Sequence, residues 1–108
     1  MSALPTQYWI IATDANEDRA ADLALRGEQL AHDHHAYIDR LDQRGILFAH
    51  GAARDELDRR AGTGLIVIAA ATRAEAEAIA LEEPYIAGGF RTLKLVPWRA
   101  RLGRLVTG

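Results

Sequence analysis

Leu65-Ile66-Val67-Ile68-Ala69-Ala70-Ala71, followed at once by Thr72-Arg73-Ala74-Glu75, is the stretch on which the fold turns. The first seven residues are an unbroken apolar run with β-branched members, which is the composition of a buried strand. The next four form a capping box: a threonine, with a glutamate three positions on, starts a helix. A strand running straight into a helix, with no room for a hairpin between them, marks one half of a βαβ-type unit. The alanine-rich helix runs to about Leu81, and Pro84 closes it.

Reading outward from this unit finds its counterpart. Tyr8 to Ala12 is a short aromatic and β-branched run, so it predicts a first strand, ended by the turn chemistry of Thr13-Asp14-Ala15-Asn16. About Asp18 to Arg44 is helix-prone, with Gly27 the expected break and Gly45 the expected C-terminal cap. Ile46 to Ala49 predicts a second strand. The third strand is expected to enter through a flexible turn at Ala61-Gly62-Thr63-Gly64, and a loop through Ala87-Gly88-Gly89 to lead into a last strand over about Phe90 to Val96. The order β-α-β-β-α-β is ferredoxin-like and implies an α+β fold: a four-stranded antiparallel sheet with both helices on one face. No repeat or linker divides the 108 residues, so a single domain over 1–108 is expected. Its ends, 1–6 and 99–108, read as flexible or dimer-contacting.

The strands carry a further consequence. An antiparallel sheet with one wet face should alternate apolar and polar residues. Trp9-Ile10-Ile11-Ala12 and Leu65 to Ala71 do not alternate. Two helices cover one face only, and a second copy of the chain is the simplest cover for the other. The expected assembly is a homodimer with two sheets packed face to face as a dimeric α/β barrel, with higher assembly left open.

Composition narrows the function classes. Hydrophobic residues make up 49% and charged residues 26%, as in ordinary globular domains. The net charge of -2 gives no general electrostatic support for a nucleic-acid or membrane partner. There is no cysteine, hence no disulfide or thiolate chemistry. The first seven residues have neither a basic n-region nor an apolar h-region, so a cytoplasmic location is expected.

His34 is the residue to explain. It lies four positions after Leu30 and four before Ile38, inside the apolar stripe of its helix. A histidine there is either a satisfied core residue or a base, and in both cases its ring needs a partner. Asp55, after the second strand, is a candidate carboxylate, although an acidic residue in such a short loop ordinarily does no more than solvate or cap a turn. His32 and His35 fall off the stripe, and with no H-E-x-x-H pattern no metal site is expected. Gly62-Thr63-Gly64 precedes a strand, not a helix, and so lacks the dipole of a phosphate loop. Arg99, Arg101 and Arg104 read as a basic tail or dimer contact.

These residues resemble the YCII-related (YciI-like) family. The resemblance runs through His34-x-x-Tyr37-Ile38, Gly45-Ile46-Leu47, Gly51-Ala52-x-x-Asp55, Gly64-Leu65-Ile66-Val67, Thr72-x-x-Glu75-Ala76, Glu83-Pro84-Tyr85-x-Ala87-Gly88 and Val96-Pro97-Trp98. It implies a dimeric α+β barrel and a site built on His34 and Asp55. His50, Ala52, Glu83 and Ala31 stand where the family usually has Ala, Pro, Asp and Arg. Those departures bear on the loop carrying Asp55 and on how an anionic substrate is held.

The function expected from residues and resemblance together is acid–base catalysis without a cofactor. His34 would act as general acid/base and Asp55 would orient it. Tyr37, Tyr85 and Trp98 are expected to line the pocket for a small ligand, an aromatic one among the options, undergoing elimination, dehydrochlorination or isomerisation. The competing expectation is a non-catalytic metabolite-binding or dimerisation module, with His34 and Asp55 a structural pair.

Overall fold

The computed structural model describes residues 7–108. The expectation for residues 1–6 therefore lies outside the described residues. Strand β1 spans Tyr8–Ala15 and a one-turn 3-10 segment follows at Glu17–Arg19. Helix α1 covers Ala20–Gln43, β2 Leu47–Arg54, β3 Arg60–Ala69 and α2 Arg73–Leu81. A single turn, α3, at Pro84–Ala87 leads into β4 at Arg91–Trp98, and a last turn, α4, covers Arg104–Thr107. The sheet order is β2-β3-β1-β4, with every neighbouring pair antiparallel. This is the ferredoxin-like α+β arrangement expected.

The differences from expectation have local causes. Gly27 does not break α1. It faces open space, and its propensity cost of about 1 kcal/mol is outweighed by the buried stripe of Leu30, Tyr37, Ile38 and Leu41. At the far end Gly45, at φ 73°, closes a Schellman motif: its N–H donates to the Asp42 carbonyl and the Ile46 N–H to that of Leu41.

The stretch expected as a turn at residues 61–64 is strand instead, because β2 and β3 form a longer hairpin whose tip lies at Glu56-Leu57-Asp58. Asp55 makes that tip. Its carboxylate accepts the N–H groups of Leu57 and Arg59, while Asp58 takes the left-handed conformation at φ 61° that a three-residue hairpin loop requires. Pro84 closes α2, and it also opens α3 from its first position. Pro97 sits in β4, where an edge strand tolerates a residue with no N–H.

The core lies between the sheet and the helices. Trp9 and Ile11 from β1, Ile66 and Ile68 from β3, and Ala76, Ile79 and Ala80 from α2 pack with the α1 stripe. The opposite sheet face carries the alternate residues. There Tyr8, Phe48 and Trp98 form an aromatic cluster with ring centroids 5.4–6.2 Å apart. Ile10, Ala12, Val67 and Val96 on that face remain half-buried.

Candidate functional site

The residues brought to His34 come from the short connection between α2 and β4. After α2 ends, Glu83 takes an extended conformation and caps α3, its Oε2 accepting the Ile86 N–H at 3.1 Å. That bond uses one carboxylate oxygen. The other, Oε1, reaches across to α1 and lies 2.7 Å from Nδ1 of His34. Glu83 is only 2% exposed, and the His34 side chain 24%. A buried carboxylate is tolerated only when paired and hydrogen-bonded, and here each oxygen has its own donor.

The conformation of this segment is held by Gly88. A Cβ at that position would come within 2.5 Å of the buried Phe90 ring, so only glycine allows the chain to turn back there. Arg19 closes the other side, donating to the Gly88 carbonyl and stacking 4.4 Å above the Phe90 ring.

The geometry sets the tautomer of His34. With Nδ1–H given to Glu83, the neutral ring carries its lone pair on Nε2. Among the described residues Nε2 has no hydrogen-bond partner, and no buried side-chain nitrogen or oxygen lacks one, so Nε2 faces solvent. The result is an anchored imidazole with an accessible nitrogen, which can take a proton and return it. Glu83 would stabilise the imidazolium in between.

Tyr85, on α3, stands next to this ring at 5.4 Å between centroids. Partial burial pushes its phenol up from the ordinary value, and the nearby Glu83 carboxylate acts in the same sense. The Arg60 and Arg91 guanidinium groups pull against that rise. The His35 ring lies 5.8 Å from that of His34.

The expected site residues therefore separate. His34 and Tyr85 are neighbours. The carboxylate paired with His34 is Glu83, not Asp55. The Asp55 side chain is held by its own hairpin: besides the two backbone donors, Arg59 Nε lies 2.9 Å from Oδ2, and these bonds keep the carboxyl below its usual range. Tyr37 lies one turn from His34 but points into the core. It is 1% exposed, with its hydroxyl donating to the Ile79 carbonyl at 2.6 Å, and burial drives its pKa well above the ordinary tyrosine value. Trp98 belongs to the aromatic cluster on the far side of the sheet.

Glu83 could have been found in the sequence. An acidic residue immediately before a proline that opens a helical turn is an N-cap, and an N-cap carboxylate has a second oxygen to offer.

A groove of about 320 Å³ lies elsewhere, between the C-terminal end of α1 and α2, lined by Arg44, Ile46, Ala70, Glu75, Ile79 and Glu82 among others. Among the described residues no group of three or more potential metal ligands is gathered in one place, and no helix is long and apolar enough to cross a membrane.

Comparison with known proteins adds three findings. The sequence model of the YCII-related domain matches residues 6–99. No curated protein matches the chain. Among solved structures, the chain is similar to the 5-chloro-2-hydroxyhydroquinone dehydrochlorinase of Burkholderia phenoliruptrix in complex with 2,5-dihydroxybenzoquinone. The TM-score is 0.60 at 17% identity, covering 91% of this chain and 97% of that one. At that identity the likeness is one of fold.

Proposed function

The chain belongs to the YCII-related domain family, and from that premise we propose that it is a small-molecule enzyme using His34 as its general acid/base. Glu83 is the positioning residue in this reading, and Tyr85 forms one wall for the substrate. The observation that carries it is the 2.7 Å contact between His34 Nδ1 and the buried Glu83, which leaves Nε2 open. The reaction class is proton abstraction from an acidic C–H or O–H group, followed by elimination, dehydrochlorination or isomerisation. The electron pair released by the proton moves through the conjugated substrate and either expels a leaving group or is reprotonated elsewhere. In isomerisation His34 returns the proton to the new position, and in elimination it passes the proton to solvent while the leaving group departs as its anion, so neither route needs an oxidant or a reductant.

The fold likeness to a dehydrochlorinase suggests where to begin. Chloride release from 5-chloro-2-hydroxyhydroquinone should be measured for the native chain and for His34→Gln. The expected loss is about a hundredfold or more, with the circular dichroism spectrum unchanged. Full turnover by His34→Gln, or a loss that only follows unfolding, would sink the reading. A chain that binds 2,5-dihydroxybenzoquinone and turns nothing over would be the non-catalytic metabolite-binding module.

The assembly belongs to the same proposal. The sheet face bearing Tyr8, Phe48 and Trp98 is covered by a second copy, because half-buried apolar residues continue across three of its strands. Val67→Glu places a charge in the middle of that face and should convert a dimer to a monomer in light scattering.

A further inference from the structure

Arg91 has an arrangement that the sheet alone does not require. It leaves the first position of the edge strand β4 on the helix side and crosses the end of the sheet. Nε donates to the Thr13 hydroxyl at 2.8 Å, and Nη2 donates to the carbonyls of Thr13 and Gly62. Gly64 keeps this path open, since a Cβ there would stand 3.0 Å from the Thr13 hydroxyl and 3.7 Å from Nη2. Every one of these acceptors is neutral. Among the described residues, no carboxylate lies within ion-pair distance of Arg91, although four other ion pairs form in the molecule. Nη1 has no partner either, and because no partnerless side-chain nitrogen is buried, it opens to solvent.

We propose that Arg91 is the anion-recognition residue of the His34 site, its Nη1 amino group receiving the ionised oxygen of an enolate, phenolate or carboxylate substrate. The proposal rests on the acid–base reading given above and names the substrate class for it. The guanidinium is held rigidly at three points and keeps its charge uncompensated, which is how a protein prepares a charge-assisted hydrogen bond to a ligand. The Phe90 N–H, next to Arg91 in the chain, donates to the Tyr85 carbonyl at 2.8 Å, and the Tyr85 ring lies 5.4 Å from that of His34, so the start of β4 adjoins the turn that carries Tyr85 beside the base; the Arg91 charge acts on the Tyr85 hydroxyl accordingly. Arg60 adds a second positive charge to the same hydroxyl. Such a pair of cations also favours the negative charge that builds on a substrate oxygen as His34 removes a proton.

The test compares two probes of similar size, each a six-carbon ring with para oxygens, that differ in charge. At neutral pH 2,5-dihydroxybenzoquinone is a dianion, because both of its enol groups are vinylogous acids, whereas hydroquinone is neutral. Calorimetric titration of the native chain should show tighter binding of the dianion. Arg91→Gln should weaken the dianion by about 10- to 100-fold and leave hydroquinone unchanged. Arg91→Lys, which keeps the charge but not the fork, should fall between them.

If Arg91→Gln proves unstable, Arg91→Lys and the salt dependence of the native chain decide. Raising sodium chloride from about 20 mM to about 500 mM should weaken the dianion alone. Equal affinity of the native chain for both probes, no binding of either, or a dianion affinity indifferent to Arg91 and salt would overturn the proposal. Its failure is separable from that of the acid–base reading. Arg91-dependent binding with chloride release unaffected by His34→Gln would remove the base and keep the anion site, and the reverse pattern would do the opposite.

Discussion

Two carboxylates, Glu83 and Asp55, do similar local work in two very different places. Each caps its own loop: Glu83 accepts the Ile86 N–H at the start of α3, and Asp55 accepts those of Leu57 and Arg59 at the hairpin tip. Asp55 has its remaining oxygen taken by Arg59 in the same hairpin. Glu83 has one oxygen left, and the packing of α3 against α1 aims it at a histidine 49 positions away in the chain. A carboxylate becomes part of a site when its local bonds leave something over and burial makes that remainder valuable.

That contrast can be broken experimentally, most severely at Glu83. Glu83→Ala strands both the Ile86 N–H and His34 Nδ1. It should cost about 2–3 kcal/mol in urea denaturation, somewhat less than a fully buried pair because His34 is partly wet. Glu83→Gln keeps the acceptor and should restore most of that stability. It should also change the ratio of His34 tautomers seen by nitrogen NMR. An unchanged ratio would mean that Glu83 does not orient the ring.

Next in size is Gly88→Ala, which drives a methyl group against the Phe90 ring and displaces the turn that carries Glu83. A loss of about 1–3 kcal/mol is expected, with broadened Phe90 resonances. Stability equal to that of the native chain would show that the turn is not confined as described.

Tyr37→Phe removes one buried hydroxyl from the Ile79 carbonyl and should cost about 1 kcal/mol. It also changes the alkaline limb. The folded pKa of Tyr37 is raised, so its contribution is whole below the ordinary value of 10.0 and is lost as pH climbs toward the higher folded value. The variant should therefore lose stability less steeply above that pH.

The smallest effect belongs to Asp55. Its folded pKa is lowered, so its contribution is present above the ordinary value of 3.8 and disappears as pH falls through the folded one. Asp55→Asn should flatten only that acidic limb and leave chloride release as it was. A lost activity would bring the hairpin back into the site.

Much of the architecture was legible in the letters, since the capping box at Thr72, the glycine after α1 and the two-faced apolar strands each act through neighbours a few residues away. The turn of the β2–β3 hairpin lies away from its glycines for a related reason. Gly62 and Gly64 look like turn residues, yet Gly62 at φ 90° is accommodated within β3, and Gly64 is small because Thr13 and Arg91 pass over it. Of the candidate site, His34 can be picked out by its helical spacing, and Tyr85 by the family-like motif Glu83-Pro84-Tyr85 in which it stands. Tyr37 and Trp98 could not be placed, because each sits one face away from where proximity in sequence suggested.

The order of strands and helices, the inward lean of His34 and, among the described residues, the lack of a helix both long and apolar enough to cross a membrane follow from short-range periodicity, composition and capping, which any stretch of chain carries within itself. The partner of His34, the path of Arg91 across three strands and the separation of Asp55 from both depend on how distant segments pack. Side-chain reach of a few ångströms is settled by the three-dimensional arrangement of the backbone, and residues 49 or 78 positions apart have no local term that could specify it.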